Sequence, residues 1–190
     1  HHLFRADRYL VRRICRQTAF RERVRQISTL GCHPLVWVGL EGQGRCWAEQ
    51  VEGLAQALNA LYEKHPGLGV VIDGWTSPLT QSSACVKEIA RDFALASELM
   101  SKLQPGIQTL VLVGCTSEEK IAAASKIDFF ITNYTTGSIH VSRFAGKPGI
   151  CHSSSRLMET SLRICAQYHP NRSILLMAGT EIPPETAPRT

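Results

Sequence analysis

Long apolar runs are missing from this sequence. No stretch of its 190 residues approaches 18 consecutive apolar residues, which excludes a helical membrane span. No apolar segment followed by a small-residue cleavage site signals secretion. His1 and His2, without a starting methionine, read as the remnant of a tag and carry no functional argument. Cysteine pairs at CxxC spacing are absent too. The seven cysteines (15, 32, 46, 85, 115, 151 and 165) are scattered and odd in number, which argues against a zinc cluster or a disulfide framework. They read as small apolar residues in a reducing compartment, so a cytoplasmic location is expected. Neither GxGxxG nor GK[ST] occurs, so neither a dinucleotide fingerprint nor a P-loop is supported. No Asp-x-Asp magnesium motif is visible, and no cofactor or metal is expected. There is no internal repeat and no low-complexity segment.

The net charge of +5 is not spread over the chain. Residues 1–30 hold eight arginines against Asp7 and Glu22, whereas residues 31–190 hold 13 basic and 14 acidic residues. Leu3, Leu10, Ile14, Val24 and Ile27 thread through those arginines, which predicts a basic amphipathic helix over 1–30. Such a face attracts nucleic acid or an anionic membrane surface. The plainer expectation is a solvated helix that covers part of the sheet or joins a further domain. We expect no nucleic-acid partner and keep peripheral membrane contact open, at the inner face of the membrane.

From residue 34 onward short apolar runs alternate with stretches of helical periodicity. Strands are predicted at 34–40, 69–75, 107–114, 128–133, 147–152 and 173–178. Helices are predicted at 47–64, 85–103, 116–126, 137–146 and 155–168, with Thr116 and Glu119 at capping-box spacing. This alternation means parallel βαβ units: an α/β fold, a Rossmann-like doubly wound parallel sheet of about six strands with helices on both faces. The expected division is a basic helical segment at 1–30, a Rossmann-like domain at 31–178 and a loose proline-rich tail at 179–190.

Ligands of such sheets bind beyond the carboxyl ends of the strands, so the strand-to-helix loops hold the candidates. "GLEGQGRCW" offers three glycines and Arg45, which suits a phosphate; a flexible turn with a solvated arginine explains it equally well. "IDGWTSP" puts Asp73, Trp75 and Thr76 at a strand tip, where a tryptophan can stack on a base or simply fill the core. In "VGCTSEEK" capping accounts for Thr116 and Glu119, whereas Glu118 is surplus to capping and suits ribose hydroxyls. Most specific is "NYTTGSIH". Thr135, Thr136 and Ser138 carry hydroxyls, Gly137 allows close approach, free amides open the following helix, and His140 falls on its first turn. That arrangement suits a diphosphate; an N-cap without a ligand is the alternative.

The stretch "DFFITNYTTGSIHVSRFAGKPGI" resembles the signature of the heptosyltransferase-type glycosyltransferases, in which a strand leads to a D-[ST]-G-x-x-H turn, a short helix and G-K-P. "PLVWVGLEGQGRCWAEQVEGLAQAL", "VVIDGWTSP" and "LVLVGCTSEEKIAAASKIDFFIT" are similar to the earlier strands of that family in order and spacing, so the likeness covers about residues 34–152. Thr135 stands where the family signature carries aspartate. The resemblance implies the nucleotide-sugar-binding C-terminal half of a two-domain GT-B enzyme, inverting and metal-independent, of bacterial polysaccharide, lipopolysaccharide or protein glycosylation. It implies diphosphate contacts from Arg45, Thr135, Thr136, Gly137, Ser138 and His140, and base and ribose contacts from Asp73, Trp75, Thr116 and Glu118. The donor sugar nucleotide and a missing N-terminal acceptor domain or partner chain would be the partners, and no catalytic residue is assigned. The alternative is a non-catalytic nucleotide-binding or scaffolding module of the same fold, with the arginine helix docking a partner.

Overall fold

A computed structural model of the chain describes residues 2–42, 47–78, 80, 82–134, 136–154 and 174–179. Apolar, β-branched runs form β1 (Leu35–Gly39), β2 (Gly69–Asp73), β3 (Gln108–Val111), β4 (Phe129–Asn133) and β5 (Gly149–Ser154). They pair in parallel in the order β3-β2-β1-β4-β5, and β6 (Ile174–Gly179) extends the sheet beyond β5. Between them run α3 (Gln50–Lys64), α4 (Ser83–Lys102) and α5 (Ser117–Ala124). The fold is α/β and Rossmann-like. Strand order reverses between β1 and β4, the place where sheets of this kind open a crevice beyond the strands' carboxyl ends.

The two-residue period of the strands divides the core. Val36, Val38, Val70 and Ile72 point to one face, where Leu54 and Leu58 of α3 and Ala96 and Leu99 of α4 cover them. Leu35, Trp37 and Val71 point to the other, against Ala123, Ala124, Ile127 and Phe130. Trp37 lies in register with Val71 on one side and Phe130 on the other, so one aromatic side chain ties three strands together. Each large side chain buried in this way contributes ~1.5–3 kcal/mol.

Helix ends follow the local sequence. α3 stops at Lys64, ahead of Pro66-Gly67. Ser82 caps α4 by accepting from the Cys85 amide at 3.2 Å. Thr116 and Glu119 form the expected capping box at the start of α5.

Two local expectations are corrected. The basic segment is not one helix: α1 (His2–Arg16) and α2 (Thr18–Thr29) meet at Gln17, whose backbone is extended (φ −71°, ψ 134°). The break lets both helices turn an apolar residue inward. Ile14 joins Ile121 and Ala122, with Val11, Phe20, Val24 and Phe144 around them, while Ile27 joins the core of Trp37. Arg143 reaches Asp7 of α1 through two bonds of 2.9 and 3.0 Å. Second, residues 137–146 are not a regular helix. A 3-10 turn (Thr136–Ser138) leads into a π-helix (Ile139–Phe144). The Ser142 hydroxyl donates to the Ser138 carbonyl at 2.6 Å, and the Ala145 amide reaches five residues back to His140. That wider turn closes at Gly146 (φ +65°), a backbone conformation that favours glycine.

The helix expected over 155–168 and the tail from 180 lie outside the described residues. Among the described residues, no helix is long and apolar enough to cross a membrane.

Candidate functional site

A cavity of about 580 Å³ opens at the reversal of strand order. Its floor and walls are the residues at and beyond the carboxyl ends of β1 (Gly39–Gly42), β2 (Asp73–Thr76) and β4 (Thr132, Asn133, Gly137 and His140), with Ser117 and Glu118 at the start of α5. Leu10 and Ile14 of α1 complete the wall together with Ile121 and Phe144.

The loop after β1 is pinned by helices. Gln50 grips Glu41 from both sides: its amide oxygen accepts from the Glu41 N–H at 3.1 Å, and its amide nitrogen donates to the Glu41 carbonyl at 2.7 Å. Asp92 of α4 accepts from the Gly42 amide at 3.0 Å, and Arg91 donates to the Gly42 carbonyl at 3.2 Å. The loop after β2 is held from both sides of the sheet. Asp92 also accepts from the Trp75 amide, at 2.6 Å. Lys120 of α5 is fully buried; its ammonium pairs with Asp73 at 2.6 Å and donates to the Gly74 carbonyl at 2.7 Å and to Thr76 Oγ1 at 2.9 Å. Two hydrogen bonds and one opposite charge surround that ammonium, which is what makes a buried lysine tolerable. The Trp75 indole donates to Cys85 Sγ at 3.3 Å, so the ring is half-buried with its N–H occupied.

The wall from β4 differs. His140 is 8% exposed, and its Nδ1 has no hydrogen-bond partner. Burial pushes its pKa below 6.5; the charge of Asp73 opposes that shift and that of Lys120 adds to it. The ring is therefore neutral at neutral pH and offers one donor and one acceptor nitrogen. Gly137 is unusual among the glycines of the cavity. A Cβ at Gly39 would collide with the Thr132 side chain, one at Gly42 would meet Arg91 and Asp92, and one at Gly74 would meet Asp92 and Val113. At Gly137 the nearest described atoms would be Asn133 Oδ1 at 3.4 Å and Thr132 Oγ1 at 3.5 Å, ordinary contact distances.

Of the loop residues singled out from the sequence, Asp73, Trp75, Thr76, Glu118, Gly137 and His140 border this one cavity. Thr116 spends its side chain on the cap of α5 and is not part of the lining. Ser138 is fully buried beneath the turn. Arg45 and Thr135 lie outside the described residues, as does the side chain of Thr136. Sequence reasoning missed Asp92 and Lys120. Asp92 had a signal: Cys85, Ile89, Asp92, Ala96 and Leu99 recur at helical spacing, so this acid occupies a slot on the buried stripe of α4. Among the described residues no group of three or more His, Cys, Asp or Glu is arranged to hold a metal ion. Glu41, Asp73, Asp92 and Glu118 line the cavity, with Lys120 the buried counter-charge of Asp73.

No family model matches the chain, and no curated protein matches it. Among solved structures it is similar to the glycosyl transferase family 9 protein of Veillonella parvula DSM 2008, with a TM-score of 0.52 and 13% identity over 88% of this chain and 42% of that one. A slighter likeness, too slight to carry weight, is to the N-terminal domain of Candida albicans trehalose-6-phosphate phosphatase (TM-score 0.42, 13% identity, 75% of this chain and 33% of that one). The chain spans less than half the length of either protein. At this identity the likeness is one of architecture: the chain has a glycosyltransferase-like α/β fold.

Proposed function

We propose that the chain is the nucleotide-diphosphate-sugar-binding half of an inverting glycosyltransferase that needs no metal ion. The observation that carries this reading is Gly137: packing among the described residues leaves room for a side chain there, and the position, on the cavity wall, is nevertheless bare. A bare backbone at a cavity wall suits phosphate oxygens that come within hydrogen-bonding distance of the main chain. The cavity's place at the reversal of strand order supports the same reading.

In this proposal the amides of 136–138, the hydroxyls of Thr135 and Thr136 and the guanidinium of Arg45 face the diphosphate. Trp75 stacks on the base and Glu118 accepts from ribose hydroxyls. Asp73 and Thr116 frame these contacts: Asp73 is paired with Lys120, and the Thr116 hydroxyl caps α5. In the transfer, an acceptor hydroxyl oxygen attacks the anomeric carbon, the bond to the diphosphate breaks, and the hydroxyl proton passes to a base on the other half. This half meets the negative charge that develops on the leaving diphosphate. The acceptor site and that base belong to a domain beyond this chain, so the chain alone is expected to bind donor and turn nothing over.

Calorimetric titration with ADP, UDP, GDP and CDP tests the reading. Saturable binding of at least one supports it; failure of all four at millimolar concentration removes it. A second reading, a non-catalytic module of the same fold, is favoured by Leu10 and Ile14, which bring α1 into the cavity wall. It predicts that partner capture is lost when α1 is deleted.

A further inference from the structure

We infer that Asp92 is a positioning residue of the cavity: one buried carboxylate braces the loop after β1 to the loop after β2 and sets where Trp75 and Gly42 sit. The carboxylate is 4% exposed and spends one oxygen on each loop, Oδ1 on the Gly42 amide and Oδ2 on the Trp75 amide. The two loops follow neighbouring strands, and Asp92 adds a bridge between them beyond the strand ladder. The glycines around it are fitted to it. A Cβ at Gly42 would come within 2.7 Å of Oδ1, and one at Gly74 within 2.8 Å of Oδ2. Both oxygens are thus seated against bare backbone, a match that a merely tolerated buried acid does not require. Asparagine offers a single acceptor oxygen, so it can hold one loop and must release the other.

The affinity arm of the test rests on the nucleotide-binding reading above; the exchange arm does not. Asp92→Asn is compared with Asp128→Asn, since Asp128 likewise accepts from a backbone amide, that of Leu35 at 2.7 Å, but at the opposite end of the strands. We expect the Gly42 or Trp75 amide to exchange about tenfold faster in D92N, a hydrogen bond to a charged group having been lost. We expect the dissociation constant for the nucleoside diphosphate that binds wild type to rise about tenfold or more, with D128N within about twofold of wild type. Gly74→Ala, which pushes on Oδ2 without removing the charge, should speed exchange at Trp75 in the same direction, and it serves if D92N does not fold. Unchanged exchange at both amides in D92N and at Trp75 in G74A overturns the inference. So does an affinity loss in D128N equal to that in D92N, which would make the effect one of general stability. If wild type binds no nucleotide, the functional proposal falls and the exchange arm still decides the role of Asp92.

Discussion

The two walls of the cavity are built on different terms. On the β2 side, the buried polar groups find partners within the protein: Lys120 meets Asp73, Gly74 and Thr76, and Asp92 takes the Trp75 amide. On the β4 side, His140 keeps an unpartnered nitrogen, and Gly137 is bare without a packing reason among the described residues. A wall whose buried charges are paired with each other is a scaffold: Asp73 Oδ1 makes no hydrogen bond, yet the Lys120 ammonium faces it at 2.6 Å. A wall with an unmade bond and spare room is where added atoms gain most. Burial alone does not separate the two kinds, because Asp73 and His140 are both buried.

The largest effect expected from breaking this contrast is on the scaffold side. Lys120→Met strips Asp73 of its partner and leaves a carboxylate alone in a dry site, so unfolding free energy should fall by about 3–5 kcal/mol. Urea melts measure it, and a loss under ~1 kcal/mol would mean that the Asp73 carboxylate is hydrated. Gly137→Ala should do the reverse. Its stability should stay within ~0.5 kcal/mol of wild type, while nucleotide affinity drops about tenfold. A stability loss of several kcal/mol would instead assign this glycine to the fold.

A smaller effect follows from the sign of the His140 shift. Its folded pKa lies below the unfolded value, so the unfolded chain binds more protons in that interval and stability rises with pH through it. The contribution is complete above about 6.5 and is lost as pH falls through the folded value. His140→Gln should flatten part of that acid limb. His152, shifted down by burial as well, supplies a remainder. An acid limb identical in His140→Gln and wild type would show that the ring is hydrated. The least effect is expected at the exposed Arg25–Glu22 pair of α2, where Arg25→Ala should leave the melting midpoint unchanged and so provide a baseline.

The sheet was legible because its signal is local. Runs such as "LVWVG" and "GVVID" are apolar on both faces, as a covered parallel strand demands, and each is followed by turn residues and then a helical period. Loops beyond such strands were also the right place to look: six of the singled-out loop residues border one cavity. What stayed hidden depends on contacts distant in sequence. Lys120 lies 47 positions from Asp73 and reads on its own helix as one more surface lysine beside Glu118 and Glu119. The fold-back at Gln17 carries neither glycine nor proline, so helical periodicity ran straight through it. The π turn after Ser138 depends on which carbonyl each amide chooses, and side-chain pattern does not encode that choice.

The π-helix itself links two jobs. Residue 140 borders the cavity, and three positions on, residue 143 clasps Asp7 of α1. Both side chains hang from six residues of backbone, as two pans hang from one beam. A single short stretch of backbone therefore fixes both a wall of the crevice and the seat of the arginine-studded helix on the outer surface.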